Sequence, residues 1–168
     1  MLRVLIAEDE DIIRKGLVYT TDWLSMDCVV VAEAANGQEG LEKILECRPD
    51  VVIADICMPF LDGIEMIKKA SETVHFKSIL LTSYADFEYA RRAIDARVCE
   101  YMLKPVDEDE LADIMKRLGE EIASSRQVEK VMEQAELEGG NMNLEYYMQL
   151  DLSENQYISK AIDQIQIG

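Results

Sequence analysis

Val51-Val52-Ile53-Ala54-Asp55 is the stretch of sequence that decides the fold. Four consecutive apolar residues that end at an acid are typical of a short strand buried on both faces, as in a parallel sheet. Asp62-Gly63 then opens a helical segment that carries Ile64, Met66 and Ile67. A buried strand followed by a helix predicts one β–α unit of an α/β domain.

The same strand–helix pattern recurs on both sides of this unit. Short apolar runs at 4–7, 28–32, 78–81 and 100–103 are each followed by a segment with helical spacing of apolar residues. Five such units predict a parallel sheet with helices on both faces, and we expect the doubly wound, flavodoxin-like strand order 2-1-3-4-5. A closed barrel is excluded because it needs eight units.

The first helical segment has a predicted buried face. It begins at Asp11, and apolar residues follow at the spacing of a helix. We expect Ile12, Ile13, Leu17 and Val18 to share the face that packs on the sheet.

The C-terminal part of the chain, residues 126–168, breaks the alternation. Apolar residues between Val128 and Ala135 could continue the fifth helix, and after a break at Gly139-Gly140 two short helices are expected between 144 and 165. We therefore expect a domain at 1–125 and a C-terminal helical extension at 126–168.

The charge balance is strongly acidic, with 34 acidic and 17 basic residues and a net charge of −17. Binding to nucleic acid requires Lys and Arg that displace counterions from phosphates, so we expect no direct nucleic acid binding by this chain. The acidic charge can serve solubility, or some of the carboxylates can hold a cation. The positions of the acids decide between these uses.

The cysteines and the apolar segments indicate the compartment. Cys28, Cys47, Cys57 and Cys99 form no CxxC pair and no zinc-ligand pattern, and free thiols fit a reducing cytoplasm. Nothing near Met1 resembles a signal peptide. No apolar run reaches the length of about 18 residues that spans a membrane. We expect a cytoplasmic protein with no membrane contact.

Polar residues stand where the predicted strands end. The first strand delivers Glu8 and Asp9, the third Asp55, the fourth Thr82 and the fifth Lys104. Singly, each has an ordinary explanation, such as helix capping by the acids. Because ligands bind beyond the carboxyl ends of the strands in open parallel sheets, we expect all five to converge on one rim.

The predicted rim suits phosphoryl transfer. Three clustered carboxylates raise one another's pKa, and a hard divalent cation such as Mg²⁺ relieves their repulsion through oxygen-only ligation. A carboxylate such as Asp55 beside Mg²⁺ and Lys104 can attack a phosphoryl group whose charge both cations neutralise. Thr82 can hydrogen-bond a phosphoryl oxygen.

Residues 1–125 resemble the receiver domain of two-component response regulators. The matching segments are VLIAEDE at 4–10, DICMPFLDG at 55–63, LTSY at 81–84 and YMLKP at 101–105. Together they form a highly specific set that covers about three quarters of the chain.

The resemblance implies a role for each site residue. Asp55 would accept a phosphoryl group from a sensor histidine kinase. Mg²⁺ would be bound by Asp9 and Asp55, by Glu8 through water, and by the main-chain carbonyl of Cys57. Lys104 would pair with the acyl phosphate and precede a cis peptide bond to proline.

The resemblance also implies a switch, and this chain departs from the family in places. Thr82 would move toward the phosphoryl group and the ring of Tyr101 would turn inward. Cys57 and Tyr84 would border the phosphoryl group, and we expect Tyr84 to shield the acyl phosphate and prolong its lifetime. Arg97 stands where the family often has glycine, so it either strains a left-handed turn or changes the turn.

Two segments resemble receivers joined to AraC-type helix-turn-helix transcription factors: 83–90, and 157–163, which is similar to the start of such an output domain. The resemblance implies transcription regulation by a DNA-binding output region that begins near the end of this chain or lies beyond Gly168. It also implies a possible homodimer on phosphorylation, formed through the region 87–111.

Two alternatives belong to other functional classes. A Mg²⁺-dependent phosphohydrolase with an Asp nucleophile usually carries a second Asp two residues later, where this chain has Cys57. We therefore expect no enzyme beyond self-phosphorylation and autodephosphorylation at Asp55. A flavodoxin-like cofactor binder needs a phosphate loop after the first strand, and the acids at 8–11 would repel a phosphate.

Overall fold

The structure is a computed structural model that describes residues 1–83 and 87–137. Five strands alternate with five α-helices, and a short 3₁₀ turn, Leu24–Met26, precedes the second strand. The elements are β1 (Leu2–Ala7), α1 (Asp11–Tyr19), β2 (Cys28–Ala34), α2 (Gly37–Cys47), β3 (Val51–Asp55), α3 (Gly63–Ser71), β4 (Lys77–Thr82), α4 (Phe87–Asp95), β5 (Glu100–Leu103) and α5 (Glu108–Leu137).

The sheet confirms the predicted topology. Its five strands are parallel and lie in the order β2-β1-β3-β4-β5. In the central strand all five residues are buried, as expected for a strand covered by helices on both faces. The register pairs Ala7 with Ala54 and Asp55 with Leu81, so neighbouring strands end almost level at their carboxyl ends.

Helix α1 differs from its predicted face. Ile12 is 88% exposed, whereas Leu17 is buried as expected. The side chain that takes a buried place on this helix is the charged Arg14, with 8% exposure. The prediction for Ile12 was wrong because a buried charge can replace an apolar residue when other elements supply its partners.

The chain divides into two compact units, Met1–Lys116 and Arg117–Gly168. The second unit begins within α5, and its described part is helical up to Leu137. The predicted break at Gly139-Gly140 and the two short helices after it lie outside the described residues. None of the helices at residues 1–83 and 87–137 combines the length and the apolar character that a bilayer crossing requires.

The turn between α4 and β5 is left-handed at Arg97, whose φ is 58°. The Val98 amide donates to the Ala93 carbonyl at 3.0 Å, and the Arg97 amide donates to the Ile94 carbonyl at 3.0 Å. This pair of bonds is the Schellman motif, in which glycine is usual at the left-handed position. Of the two alternatives for Arg97, the structure therefore shows the left-handed turn.

Arg97→Gly is expected to raise the free energy of unfolding by about 1 kcal/mol. A residue other than glycine in the left-handed conformation costs about 1–2 kcal/mol, and the substitution removes this cost. Part of the stabilisation is offset because glycine loses more conformational entropy on folding. Urea unfolding of the two proteins measures the change. The matched control is Arg91→Gly in α4, where glycine in a helix lowers stability by about 1 kcal/mol. Equal losses in both variants would contradict the strain at Arg97.

Candidate functional site

The carboxyl edge of the sheet brings together the charged residues that end three strands. Glu8 and Asp9 follow β1, Asp55 is the last residue of β3, and Lys104 follows β5. Thr82 ends β4 between the last two of these strands. Because the strands are parallel and end almost level, residues far apart in sequence lie at one rim of the sheet.

The Lys104 ammonium lies between two carboxylates. Its Nζ is 2.8 Å from Glu8 Oε2 and 3.2 Å from Asp55 Oδ2. Carboxylate oxygens of Glu8, Asp9 and Asp55 all lie within 4.8 Å of one another. Glu8 is completely buried, Asp55 is 7% exposed and Asp9 is half-buried. The site therefore concentrates three acids and one base, and two of the acids, Glu8 and Asp55, are buried.

Burial and crowding shift the pKa values of these groups. Burial raises the pKa of Glu8 to about 7, and the Asp55 carboxylate adds to the rise while Lys104 opposes it. Burial also raises the pKa of Asp55, with a further contribution from Asp9 and opposition from Lys104. Burial alone would lower the pKa of Lys104, but its two carboxylate partners raise it above its ordinary value. Lys104 therefore stays charged, and one cation does not balance three acids.

The arrangement fits a hard divalent cation. Glu8 Oε2 is buried and, apart from its ion pair with Lys104, makes no hydrogen bond within residues 1–83 and 87–137. The carboxylate oxygens of Glu8, Asp9 and Asp55 form an oxygen-only donor set. Such a set suits Mg²⁺, which binds through one or two carboxylates and keeps several waters.

The predicted switch residues are Thr82 on β4, the strand next to that of Asp55, and Tyr101 on β5, one strand further along the sheet. Thr82 is buried, and its carbonyl accepts a hydrogen bond from the Lys104 amide at 2.7 Å. Tyr101 is half-buried on β5, opposite Leu80, and packs against the hydrophobic core. Thr82 is thus tied directly to the chain segment that carries Lys104, and the peptide bond from Lys104 to proline is cis.

Of the two residues predicted to border the phosphoryl group, the structure describes Cys57 but not Tyr84. Cys57 is exposed, and its Sγ lies 3.4 Å from the hydroxyl oxygen of Tyr89 in α4. Tyr84 lies outside the described residues, so its expected role stays a prediction.

The loop after Asp55 is held tightly against α3. The Gly63 amide donates to the Ile56 carbonyl at 2.8 Å, and a Cβ at Gly63 would collide with the backbone carbonyl of Asp55. Asp62 caps α3 by accepting a hydrogen bond from the Glu65 amide at 2.8 Å. Glycine is therefore required at 63 because the helix begins in contact with the candidate site.

Sequence reasoning missed two arginines near the site. Arg14 donates to the Glu8 carbonyl, and Arg92 pairs with the Asp62 carboxylate at 2.7 Å. A signal existed for Arg14, since Asp11 precedes it by three residues and such pairs meet on a helix surface. No local signal marked Arg92, because its partner lies 30 residues earlier.

The raised pKa of Glu8 predicts a pH-dependent stability. In metal-free buffer, the free energy of unfolding should fall as pH rises from about 4.5 to about 7, because the folded state binds this proton more strongly than the unfolded state does. The protonated Glu8 contributes its full stabilisation at pH values below the pKa of Glu8 in the unfolded chain. This contribution is lost as the pH rises through the higher pKa of Glu8 in the folded protein. Since one pKa unit is worth about 1.4 kcal/mol and the pKa rises from 4.5 to about 7, the loss should be on the order of 3 kcal/mol.

Urea unfolding at pH 5 and pH 8, with and without MgCl₂, measures this effect. Mg²⁺ should stabilise the protein more at pH 8 than at pH 5, because Glu8, whose pKa is raised to about 7, is ionised at pH 8 and protonated at pH 5. Glu8→Gln removes the titrating group, so its metal-free stability should fall less between the two pH values. An equal fall in Glu8→Gln and wild type would contradict the assignment to Glu8.

Comparison with known proteins shows which family has this sequence pattern. A family model described as the response regulator receiver domain matches residues 4–116. The chain is 37% identical over 121 residues to the uncharacterized transcriptional regulatory protein YesN of Bacillus subtilis, covering 70% of this chain and 32% of that protein. It is 37% identical over 118 residues to the transcriptional regulatory protein HptR of Staphylococcus aureus, covering 70% and 46%. The chain thus spans less than half the length of these relatives.

Solved structures of similar proteins agree with this family assignment, since they include response regulators. The chain is similar to the receiver domain of AraT, a response regulator from Geobacillus stearothermophilus, with 39% identity and a TM-score of 0.69 over 74% of this chain and 98% of that one. It is also similar to a DNA-binding response regulator of the LuxR family from Staphylococcus aureus, with 27% identity and a TM-score of 0.64 over 70% and 98%.

Proposed function

The chain belongs to the response regulator receiver domain family, and from this premise we propose that Asp55 is the residue that accepts the phosphoryl group. Receiver domains of two-component response regulators are signalling domains, and the relatives of this chain include transcriptional regulatory proteins. The comparisons give no support to the phosphohydrolase alternative.

One observation carries the assignment of Asp55. Its carboxylate lies 3.2 Å from the Lys104 ammonium and shares a small pocket with the carboxylates of Glu8 and Asp9. A nucleophilic carboxylate needs a nearby cation that can neutralise the charge of the incoming phosphoryl group. Among the three acids, Asp55 alone ends the central strand and keeps some access to solvent while contacting Lys104, since Glu8 is completely buried.

The reaction proposed is phosphoryl transfer from a phosphohistidine of a sensor kinase. An Asp55 carboxylate oxygen attacks phosphorus, the phosphorus–nitrogen bond breaks, and its electron pair stays on the imidazole nitrogen. The product is an acyl phosphate on Asp55. Lys104 holds the ionised Asp55 side chain before transfer and stabilises the phosphoryl oxygens afterwards, since its ammonium already lies within contact distance of the attacking group.

The residues proposed to hold Mg²⁺ are Asp9 and Asp55 directly, Glu8 through water, and the main-chain carbonyl of Cys57. Bound there, Mg²⁺ would neutralise charge on the transferring phosphoryl group. Two observations support this assignment: the carboxylate oxygens of Glu8, Asp9 and Asp55 are crowded together, and the buried Glu8 Oε2 has only its ion pair with Lys104 within the described residues.

The switch is proposed to operate through Thr82 and Tyr101, with Cys57 and Tyr84 setting the lifetime of the acyl phosphate. Thr82 ends the strand beside Asp55, and a new phosphoryl group would offer its hydroxyl a charged acceptor. Tyr101 lies half-buried on the following strand, so movement of Thr82 would change the space available to its ring.

The domain is proposed to act within a longer protein. Its curated relatives are roughly two to three times longer than the matched region, and they are transcriptional regulatory proteins. We propose that residues 1–125 form the receiver, that 126–168 form a helical linker or the start of an output region, and that a DNA-binding region carries the output. We also propose that the protein acts in a reducing cytoplasm, that a sensor histidine kinase phosphorylates it, and that phosphorylation promotes a homodimer.

The direct test is phosphorylation by a small donor. The protein is incubated with acetyl phosphate or phosphoramidate, and its intact mass is measured. We expect the addition of one phosphate in MgCl₂ and none in excess EDTA. No addition from either donor would contradict the proposed function. Steady release of phosphate from many phosphate esters would instead indicate a hydrolase.

A further inference from the structure

We propose that Arg14 is a positioning residue for the phosphoryl-transfer site, because it clamps the peptide unit that joins Glu8 to Asp9. This inference rests on the proposed function, since the two acids are the proposed Mg²⁺-binding residues. Within the described residues, Arg14 pairs with the Glu8 carbonyl, Asp11 and Glu33, and not with the carboxylate of Glu8 or Asp9. Its effect would be to hold the backbone from which both side chains project.

The contacts of Arg14 join three elements. Its Nη1 donates to the Glu8 carbonyl at 2.8 Å, its Nη2 pairs with the Asp11 carboxylate in α1, and its Nε lies 3.5 Å from a carboxylate oxygen of Glu33 in β2. The side chain is 9% exposed. A planar guanidinium can direct donors to several acceptors at once, which an ammonium cannot do with the same geometry. The burial of a charged group here is therefore compensated by three acceptors.

The contact with the Glu8 carbonyl has a specific geometric consequence. This carbonyl belongs to the peptide unit between Glu8 and Asp9, and a peptide unit is planar. On the other side, the Glu8 amide donates to the Ala34 carbonyl of β2 at 2.9 Å. Both peptide units that flank Glu8 are thus hydrogen-bonded. Rotation of the Glu8–Asp9 peptide would redirect both acids, so holding it determines how their carboxylates meet a cation.

A simpler explanation is that Arg14 only joins α1 to β2 and contributes to stability. The two explanations differ in what they predict for the acids. Loss of a residue that orients metal-binding groups typically weakens metal affinity about 10- to 100-fold. Loss of a residue that only stabilises the fold leaves the affinity of the remaining folded protein unchanged.

The chain offers a matched control at the other end of β1. Arg3 Nη1 donates to the backbone carbonyls of Cys47 at 2.7 Å and Arg48 at 3.1 Å. Arg3 is therefore also an arginine that holds backbone carbonyls, but at the amino end of the strand, away from the acids. Arg3→Met should lower stability without changing the affinity for Mg²⁺.

The experiment compares wild type, Arg14→Met, Arg14→Lys and Arg3→Met by MgCl₂ titration followed with amide nuclear magnetic resonance. We expect Arg14→Met to raise the Kd for Mg²⁺ at least 10-fold and Arg14→Lys at least 3-fold, while Arg3→Met stays within 2-fold of wild type. In metal-free spectra, the amide signals of Asp9 and Glu10 should move in the Arg14 variants and stay in place in Arg3→Met.

The outcomes separate this inference from the proposed function. A folded Arg14→Met with the wild-type Kd would overturn the positioning role, and so would equal weakening in Arg3→Met. If Arg14→Met does not fold, Arg14→Lys decides, and a wild-type Kd in that variant overturns the role. If wild type itself neither binds Mg²⁺ nor takes up a phosphate, the proposed function fails. If wild type does both and the Arg14 variants match it, only the role of Arg14 fails.

Discussion

Asp55→Asn should abolish phosphorylation of the protein, with no added phosphate in the intact mass after incubation with MgCl₂ and acetyl phosphate. The amide has nearly the shape of the carboxylate but lacks the anionic oxygen that attacks phosphorus. The strand should be retained, because the substitution leaves the apolar residues of β3 in place. The expected effect is therefore complete loss of the reaction in a folded protein.

The matched control is Asp50→Asn, just before the other end of the same strand. The Asp50 carboxylate accepts a hydrogen bond from the Arg3 amide at 2.8 Å, so this aspartate is also structurally engaged. Asp50→Asn should take up one phosphate as wild type does. Phosphorylation that persists in Asp55→Asn would move the acceptor to another residue, and peptide mapping of the product would identify it.

Lys104→Met should lower the rate of phosphorylation at least about 100-fold without weakening Mg²⁺ binding. Removing one preorganised charge that stabilises the transferring group commonly lowers the rate by about 10²–10³. Mg²⁺ affinity should be unchanged or tighter, because Lys104 now pairs with Glu8 and Asp55, two of the three acids at the site. The measurements are the time course of intact mass at saturating MgCl₂ and a calorimetric MgCl₂ titration.

Lys43→Met is the control for a general loss of positive charge. Lys43 pairs with Glu39 at 2.7 Å in α2, and neither residue belongs to the candidate site. Its variant should be phosphorylated at the wild-type rate. A normal rate in Lys104→Met would contradict the role of its ammonium. A parallel loss of rate and of Mg²⁺ affinity would show that the substitution disrupts the whole site.

Much of the fold was predictable because it depends on local patterns. The apolar run from Val51 to Ala54 is too short for an independent helix and ends at an acid, and four similar runs alternate with helical segments. Alternation of this kind leads to a parallel sheet, and parallel strands present their carboxyl ends at one edge. The gathering of Glu8, Asp9, Asp55 and Lys104 follows from that edge, so it could be inferred without coordinates.

The rest depended on partners that are distant in sequence. Periodicity assigned Ile12 to the buried face of α1, yet Ile12 is exposed and Arg14 takes a buried place, since Glu33 on β2 and the Glu8 carbonyl supply partners for its charge. Helical spacing predicts which residues share a face of the helix. It does not predict which hydrogen-bond acceptors from other elements will lie next to a charged side chain.

The sequence by itself determined the order of the strands and which polar residues stand at their carboxyl ends. Only the tertiary structure decided which charges are buried. Glu8 is completely buried, although glutamate usually lies on the surface. The cation that pairs with it and offsets the cost of its burial is Lys104, which is 96 residues later in the sequence. The physical reason is that the free energy of a buried charge depends on the distance to its partners in space, which no local pattern records.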